Sequence, residues 1–190
     1  MPGFGIFNLK DIDGRHFRFP QQQKGMSCGP TSVRIAKQLY YNREIGEEMM
    51  RGAVGLRHLG SENTGQSLAA AAAATAVDWD VHGTMEQSVL PAVKHEPFPI
   101  FGAHFAHGIA QLGNASRNHP AILGFNWNGG GGHFVVCVGP TKTDQSLFVI
   151  LDPDGGLQYL SREDAVGTTF YYKPSYGGVG QIDPIGFIAT

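Results

Sequence analysis

Cysteine, charge and long apolar runs are all scarce in this sequence, and each scarcity closes off a class of protein. Its 190 residues include two cysteines. Two thiols cannot build the dense disulfide framework of a small secreted domain, and neither has the paired neighbour spacing of a zinc site. Charged residues make up 16% of the chain, below the usual quarter, and the net charge is −2. With no lysine and arginine cluster anywhere along it, neither nucleic acid nor an anionic membrane surface is an expected partner. The longest apolar stretch, Leu68 to Val77, is mostly alanine and about half the length of a membrane span, so no transmembrane helix and no membrane insertion is expected. The N-terminal residues have no basic start followed by an apolar core and do not read as a secretory signal. The expectation is a protein that is cytoplasmic as encoded, or one carried into a target cell by a secretion system.

What is present is enough for one folded unit. The hydrophobic share of 42% is ordinary, and 190 residues suffice for one well-buried core but not for two full domains, so a single domain over residues 1 to 190 is expected. Phe17-Arg18-Phe19-Pro20 reads as an extended segment stopped by proline. A helix follows from Gly29 to Tyr41, where Val33, Ala36, Leu39 and Tyr40 recur at helical spacing and Pro30 falls in the first turn, the place its missing N–H does no harm. Further helices are predicted over Glu44 to Gly52 and from Thr64 through Ala69 to Ala74, while prolines 91, 97 and 99 leave Met85 to Phe101 undetermined, as loops with at most one short helix. From Ala121 the pattern changes. AILGFNW, HFVVCVG and LFVILD are β-branched and aromatic runs bounded by Gly, Asn, Pro and Asp, and read as adjacent antiparallel strands. Gly155-Gly156 turns into LQYL, Ser161 to Asp164 resembles a capped helical turn, and further strands are predicted at Thr168 to Tyr172 and Gly186 to Ala189. Helices first and strands later is the pattern of an α+β domain with its helices on one side of an antiparallel sheet.

A thiol is a useful nucleophile when ionised, and a helix N-terminus with an imidazolium nearby favours the thiolate. Cys28 lands at the N-terminus of the first predicted helix. A cysteine considered alone is usually a small buried residue, but polar Gln21 to Ser27 before it and Gly-Pro-Thr-Ser after it are not the setting of a core position. Gly29 also removes bulk beside the sulfur. His133 follows Gly129 to Gly132 and opens the apolar run Phe134 to Val138, a good position for a general base that serves a partner on another element. The other histidines, His104 and His107 among them, read as structural. The glycine run lacks the Lys-Ser/Thr and the helix of a phosphate loop. Asp152 ends the next strand. If the two strands form a hairpin it lies beside His133, where a carboxylate would fix the imidazole tautomer; alone it would read as an Asp-Pro turn. Gln22, six residues before Cys28, would be an ordinary surface residue by itself. As an amide donor beside the thiol it would hold a developing oxyanion, a role worth about 3 kcal/mol. Cys137, on the same strand face as His133 and roughly 13 Å away if extended, reads as core.

Together the segments Gln22-Gln23-Lys24-Gly25-Met26-Ser27-Cys28-Gly29-Pro30-Thr31-Ser32, Gly132-His133-Phe134-Val135-Val136 and Leu151-Asp152-Pro153 resemble, in order over residues 20 to 165, the bacteriocin-processing, double-glycine peptidase family and its papain-like relatives. The resemblance implies a papain-like cysteine peptidase fold of the α+β class, with N-terminal helices packed on a C-terminal antiparallel sheet. It implies a triad of Cys28, His133 and Asp152, an oxyanion glutamine at Gln22, and no cofactor or metal. Several members cleave after Gly-Gly and are fused to membrane transporters; no transporter segment is present here. Trp127 and the Gly129 to Gly132 loop look similar to those of stand-alone papain-like proteases used as delivered effectors or toxins. Gly29, Trp127, Gly131 and Gly132 are the substrate-binding residues expected on this basis.

The function implied is cleavage of a protein or peptide substrate through a thioester acyl-enzyme, after small residues or Gly-Gly. A toxin of this kind would have a cognate inhibitor or immunity protein as partner. Glutamine deamidation or transglutamination would use the same triad with a different acyl donor or acceptor. A third reading is a peptide-binding module that kept the fold and lost the chemistry. The presence of all four site residues argues against it.

Overall fold

The three apolar runs beginning at Ala121 form consecutive antiparallel strands in the structure, a computed structural model that describes residues 5–23, 28–42 and 95–189. In chain order the elements are β1 (Ile6–Lys10), β2 (His16–Pro20), α1 (Cys28–Tyr41), β3 (His95–Pro99), α2 (Phe105–Asn114), β4 (Ala121–Trp127), β5 (Gly132–Pro140), β6 (Leu147–Asp152), β7 (Gly156–Ser161), β8 (Ala165–Val166), β9 (Thr169–Tyr172), β10 (Gly180–Ile182) and β11 (Ile185–Ala189). Strands β1 and β2 pair as a hairpin, and the other nine form a sheet in the order β7-β6-β5-β4-β10-β9-β8, with β11 along the other part of β4 and β3 beyond it. Among the described residues, two α-helices and an antiparallel sheet make an α+β arrangement.

Strand β5 is apolar at nearly every position because the sheet is covered on both faces. Phe134, Val136 and Val138 join Ile122, Val149 and Leu151 beneath Val33, Ile35, Ala36 and Leu39 of α1 and Phe17 and Phe19 of β2. Val135 and Cys137 alternate to the opposite face, against Leu123, Phe125, Phe148, Ile150, Leu112 of α2 and Tyr172 of β9. Burying each such large apolar side chain stabilises the fold by roughly 1.5–3 kcal/mol.

This corrects the expectation that the helices lie together on one side of the sheet. Helix α2 packs on the face opposite α1, and its glycines conceal it from a periodicity reading: Gly108 sits so close to Ile100 that a Cβ would overlap it. The segment Met85 to Phe101, expected as loops with at most one short helix, ends instead in a strand, β3. Its prolines are tolerated because β3 is an edge strand that pairs only with β11. The extended segment ending at Pro20 is half of a hairpin, and strands precede the first helix. The helices predicted over Glu44 to Gly52 and from Thr64 to Ala74 lie outside the described residues. The capped turn is as read, with the Ser161 hydroxyl accepting from the Glu163 N–H before the short helical turn Arg162–Asp164. Among the described residues, no helix is long and apolar enough to cross a membrane.

Polar contacts fasten the helix and the first hairpin to the sheet. Ser32 Oγ, one turn into α1, donates to the Phe134 carbonyl of β5 at 2.9 Å and fixes the helix against the sheet. The β1–β2 turn is fastened to the β5–β6 turn, because the Asp13 carboxylate accepts from the N–H groups of Lys142 and Thr143 and from the Thr143 hydroxyl. Between Cys137 and Pro140 the β5–β6 register shifts. Gly139 there has φ +87°, and a Cβ would overlap the Ala115 carbonyl oxygen. Gly139→Ala is expected to destabilise the protein by about 2–3 kcal/mol in denaturant titration, whereas an unchanged midpoint would contradict this close approach.

Candidate active site

Asp152 is fully buried at the end of β6, and a buried carboxylate must be hydrogen-bonded to remain charged. It accepts from five donors. Oδ1 takes His133 Nε2 at 2.9 Å, the Asp154 N–H at 2.8 Å and the Gly155 N–H at 3.1 Å. Oδ2 takes the hydroxyls of Tyr172 at 2.7 Å and Tyr176 at 2.8 Å. Burial alone would raise the Asp152 pKa, but the hydrogen bond and charge of His133, with the Tyr172 and Gly155 donors, hold it below the ordinary carboxylate value.

His133 occupies the start of β5, where the hairpin pairing of β5 with β6 carries it to Asp152. With Nε2 engaged, Nδ1 is the nitrogen left for its hydrogen bond with Cys28. Burial works to lower the His133 pKa. The hydrogen bonds to Asp152 and Cys28, with the charge of both, outweigh it and raise the value to about 10. Trp127 at the end of β4 stacks on the imidazole, with centroids 5.6 Å apart and planes 27° from parallel. This shields the His133–Asp152 contact and places a π face against the cation.

Cys28 reaches His133 from the start of α1, which the Ser32 to Phe134 hydrogen bond holds in place. Gln22 enters from the other side of the site, its main-chain N–H donating to the Pro153 carbonyl at 2.7 Å. The residue that carries the amide is thereby tied to the turn that carries the acid. Its Oε1 is buried with no partner among the described residues.

A cavity of about 700 Å³ opens over this group, lined by Gln22, Cys28, His133, Trp127, Asp154 and Tyr176 and by the glycine-rich stretches 128–132 and 177–179. Gly130 and Gly131, at φ +92° and +85°, make the tight turn that lets the Gly131 carbonyl accept from the Trp127 N–H at 2.9 Å. Cys28, His133, Asp152 and Gln22 therefore converge, and Trp127, Gly131 and Gly132 line the cavity. Gly29 does not. It is buried behind Cys28, because successive helical residues point about 100° apart and the neighbour of a cleft-facing residue turns inward.

Tyr172, Tyr176 and Asp154 were not anticipated. Tyr172 and Tyr176 lie 20 and 24 positions from Asp152, and no local spacing marks them as its partners. The alternation of β9 indicates that Tyr172 faces inward, but not what its hydroxyl meets. Cys137 is fully buried, and burial pushes its thiol up to about 12.

No protein-family model matches the chain, and no curated protein is significantly similar to it in sequence.

Contrary to the setting read from its polar neighbours, Cys28 is buried and packs in the cluster of Val33 and Phe134, but it borders the cavity and Cys137 does not. Iodoacetamide at neutral pH is therefore expected to label Cys28 and spare Cys137, giving one modified thiol by intact mass; equal labelling of both would contradict the cavity's reaching Cys28 alone. Stability should also depend on pH through His133. Its raised folded-state pKa gives a contribution fully present below pH 6.5 and lost as pH rises through about 10. The lowered Asp152 pKa gives one present above 3.8 and lost as pH falls below it. In Asp152→Asn the decline of the melting temperature between pH 6.5 and about 10 should be flatter than in the wild type.

Proposed function

We propose that this protein is a papain-like cysteine peptidase with Cys28 as nucleophile, His133 as base and acid, Asp152 as the orienting carboxylate and Gln22 as an oxyanion donor. The observation that carries this reading is the unbroken chain of contacts from Cys28 through His133 to Asp152, ending on an open cavity. A thiol, an imidazole and a carboxylate held in line in this order are the parts of nucleophilic acyl transfer.

With its proton already on His133, whose pKa is raised to about 10, Cys28 Sγ adds to the substrate carbonyl carbon. The carbonyl oxygen becomes an oxyanion, met by the Gln22 amide and by the Cys28 main-chain N–H at the open end of α1. As the C–N bond breaks, His133 returns the proton to the leaving amine and a thioester remains on Cys28. Water then attacks the thioester, losing its proton to His133, and the carboxylic acid product departs with Cys28 restored. Throughout, Asp152 keeps the imidazole in one orientation and offsets its charge.

The cavity wall also favours small substrate residues. Main chain from the two glycine stretches can approach and hydrogen-bond an extended peptide, while the rings of Trp127 and Tyr176 limit the space for side chains. Cleavage after small residues, including Gly-Gly, is the preference we propose.

Terminal-labelling proteomics with wild type and Cys28→Ala tests the reaction. New termini that appear with the wild type and vanish with the variant are expected; cleavage undiminished in Cys28→Ala would end the peptidase reading. Glutamine shifted by about one dalton without new termini would indicate deamidation by the same thioester chemistry. Of two peptides, one with Gly-Gly and one with bulky residues at both positions, the first should be cut faster.

A further inference from the structure

We propose that the hydroxyls of Tyr172 and Tyr176 are the positioning groups of this site, together holding Asp152 Oδ2 so that Oδ1 stays aimed at His133 Nε2. The proposal rests on the triad reading and adds two residues to it. An aspartate turns about its last side-chain bond, and a carboxylate secured on one oxygen alone can swing the other away from its histidine. Here Oδ1 is secured by N–H groups of its own turn, and Oδ2 is secured from elsewhere in the fold by Tyr172 of β9 and Tyr176 of the following loop.

Both hydroxyls are held where they are by contacts of their own. Tyr172 is fully buried and stacked on Phe125 with centroids 4.8 Å apart. Tyr176 is on a partly exposed loop, yet its ring lies against Gly155 at a place where a Cβ would overlap Tyr176 Cε1. Gln158, buried in β7, links the two segments: its Nε2 donates to the Gly155 carbonyl at 2.8 Å and its Oε1 accepts from the Ser175 N–H at 2.8 Å. The Gly177 N–H closes the loop onto the Pro174 carbonyl at 3.0 Å. Glycine at 155, an amide at 158 and a turn at 174–177 thus converge on the position of one phenol. Because Tyr176 also lines the cavity, the cleft wall and the acid share a side chain.

The groups that face Asp152 are His133 from β5, Tyr172 from β9, Tyr176 from the loop, and the Asp154 and Gly155 N–H groups of its own turn. Cys28 of α1 stands beyond His133, and the Asp154 carboxylate acts on Tyr176. Hydroxyls that donate to the charged carboxylate favour that form, so their removal makes Asp152 easier to protonate.

The test is the rate of Cys28 alkylation by iodoacetamide across pH in wild type, Tyr172→Phe, Tyr176→Phe, the double variant and Gly155→Ala. The acid limb should move to higher pH by roughly one unit for each hydroxyl removed, and furthest in the double variant. Gly155→Ala, which displaces the Tyr176 ring, should behave as Tyr176→Phe does. On a cleaved peptide, Tyr172→Phe, whose side chain is outside the cavity lining, should lower kcat severalfold with KM held. Tyr171→Phe, whose side chain alternates to the other face of β9, serves as the control. An acid limb unmoved in Tyr176→Phe and in the double variant overturns the proposal, as does an equal shift in Tyr171→Phe. If Tyr172→Phe fails to fold, the two loop variants still decide the matter. A wild type that shows the alkylation profile but cleaves no peptide would overturn the peptidase reading and leave this measurement intact.

Discussion

The arrangement of this molecule turns on one buried charge. Asp152 has no contact with solvent, and a carboxylate in that position is tolerable only when its lone pairs are filled. Filling them recruits β5 through His133, the chain's own turn through two N–H groups, β9 through Tyr172 and the next loop through Tyr176. The end of the sheet is consequently organised around the acid, and the imidazole is one of several groups that satisfy it. The orientation and proton affinity of His133 follow from that arrangement.

The thiol comes from a different layer. Helix α1 lies on one face of the sheet through Val33, Ile35, Ala36 and Leu39, a contact that is non-directional and would by itself allow the helix to slide. The Ser32 to Phe134 hydrogen bond removes that freedom one turn from Cys28 and one residue from His133. Apolar burial holds the helix down, and one polar contact sets its register.

The sequence displays most of this where a residue's role depends on its near neighbours. The continuous apolar runs of β4 to β6, the helix that begins at Cys28 and the hairpin that joins His133 to Asp152 all follow from short-range pattern. What escaped is what depends on distant contacts. Helix α2 is broken in pattern by Gly108, which is there because Ile100 lies against it, and β3 carries prolines that only an edge strand accepts. Tyr176 sits in a Pro-Ser-Tyr-Gly-Gly stretch that reads as any turn would. Its hydroxyl gains meaning from Asp152, which no local pattern connects to it. Gly29 shows the converse: its adjacency to Cys28 in sequence suggested a place in the cleft that the geometry of a helix rules out.

The Ser32 to Phe134 contact joins positions 102 residues apart. Pairings of such separation are slow to form, since the loop between them must close before any contact rewards it. As the chain emerges, Cys28 is made long before His133 and Asp152, and it stays an isolated thiol until the sheet has formed and α1 has settled on it. The order of assembly thus puts the meeting of Cys28, His133 and Asp152 at the end, as a property of the completed fold and not of any part of the chain.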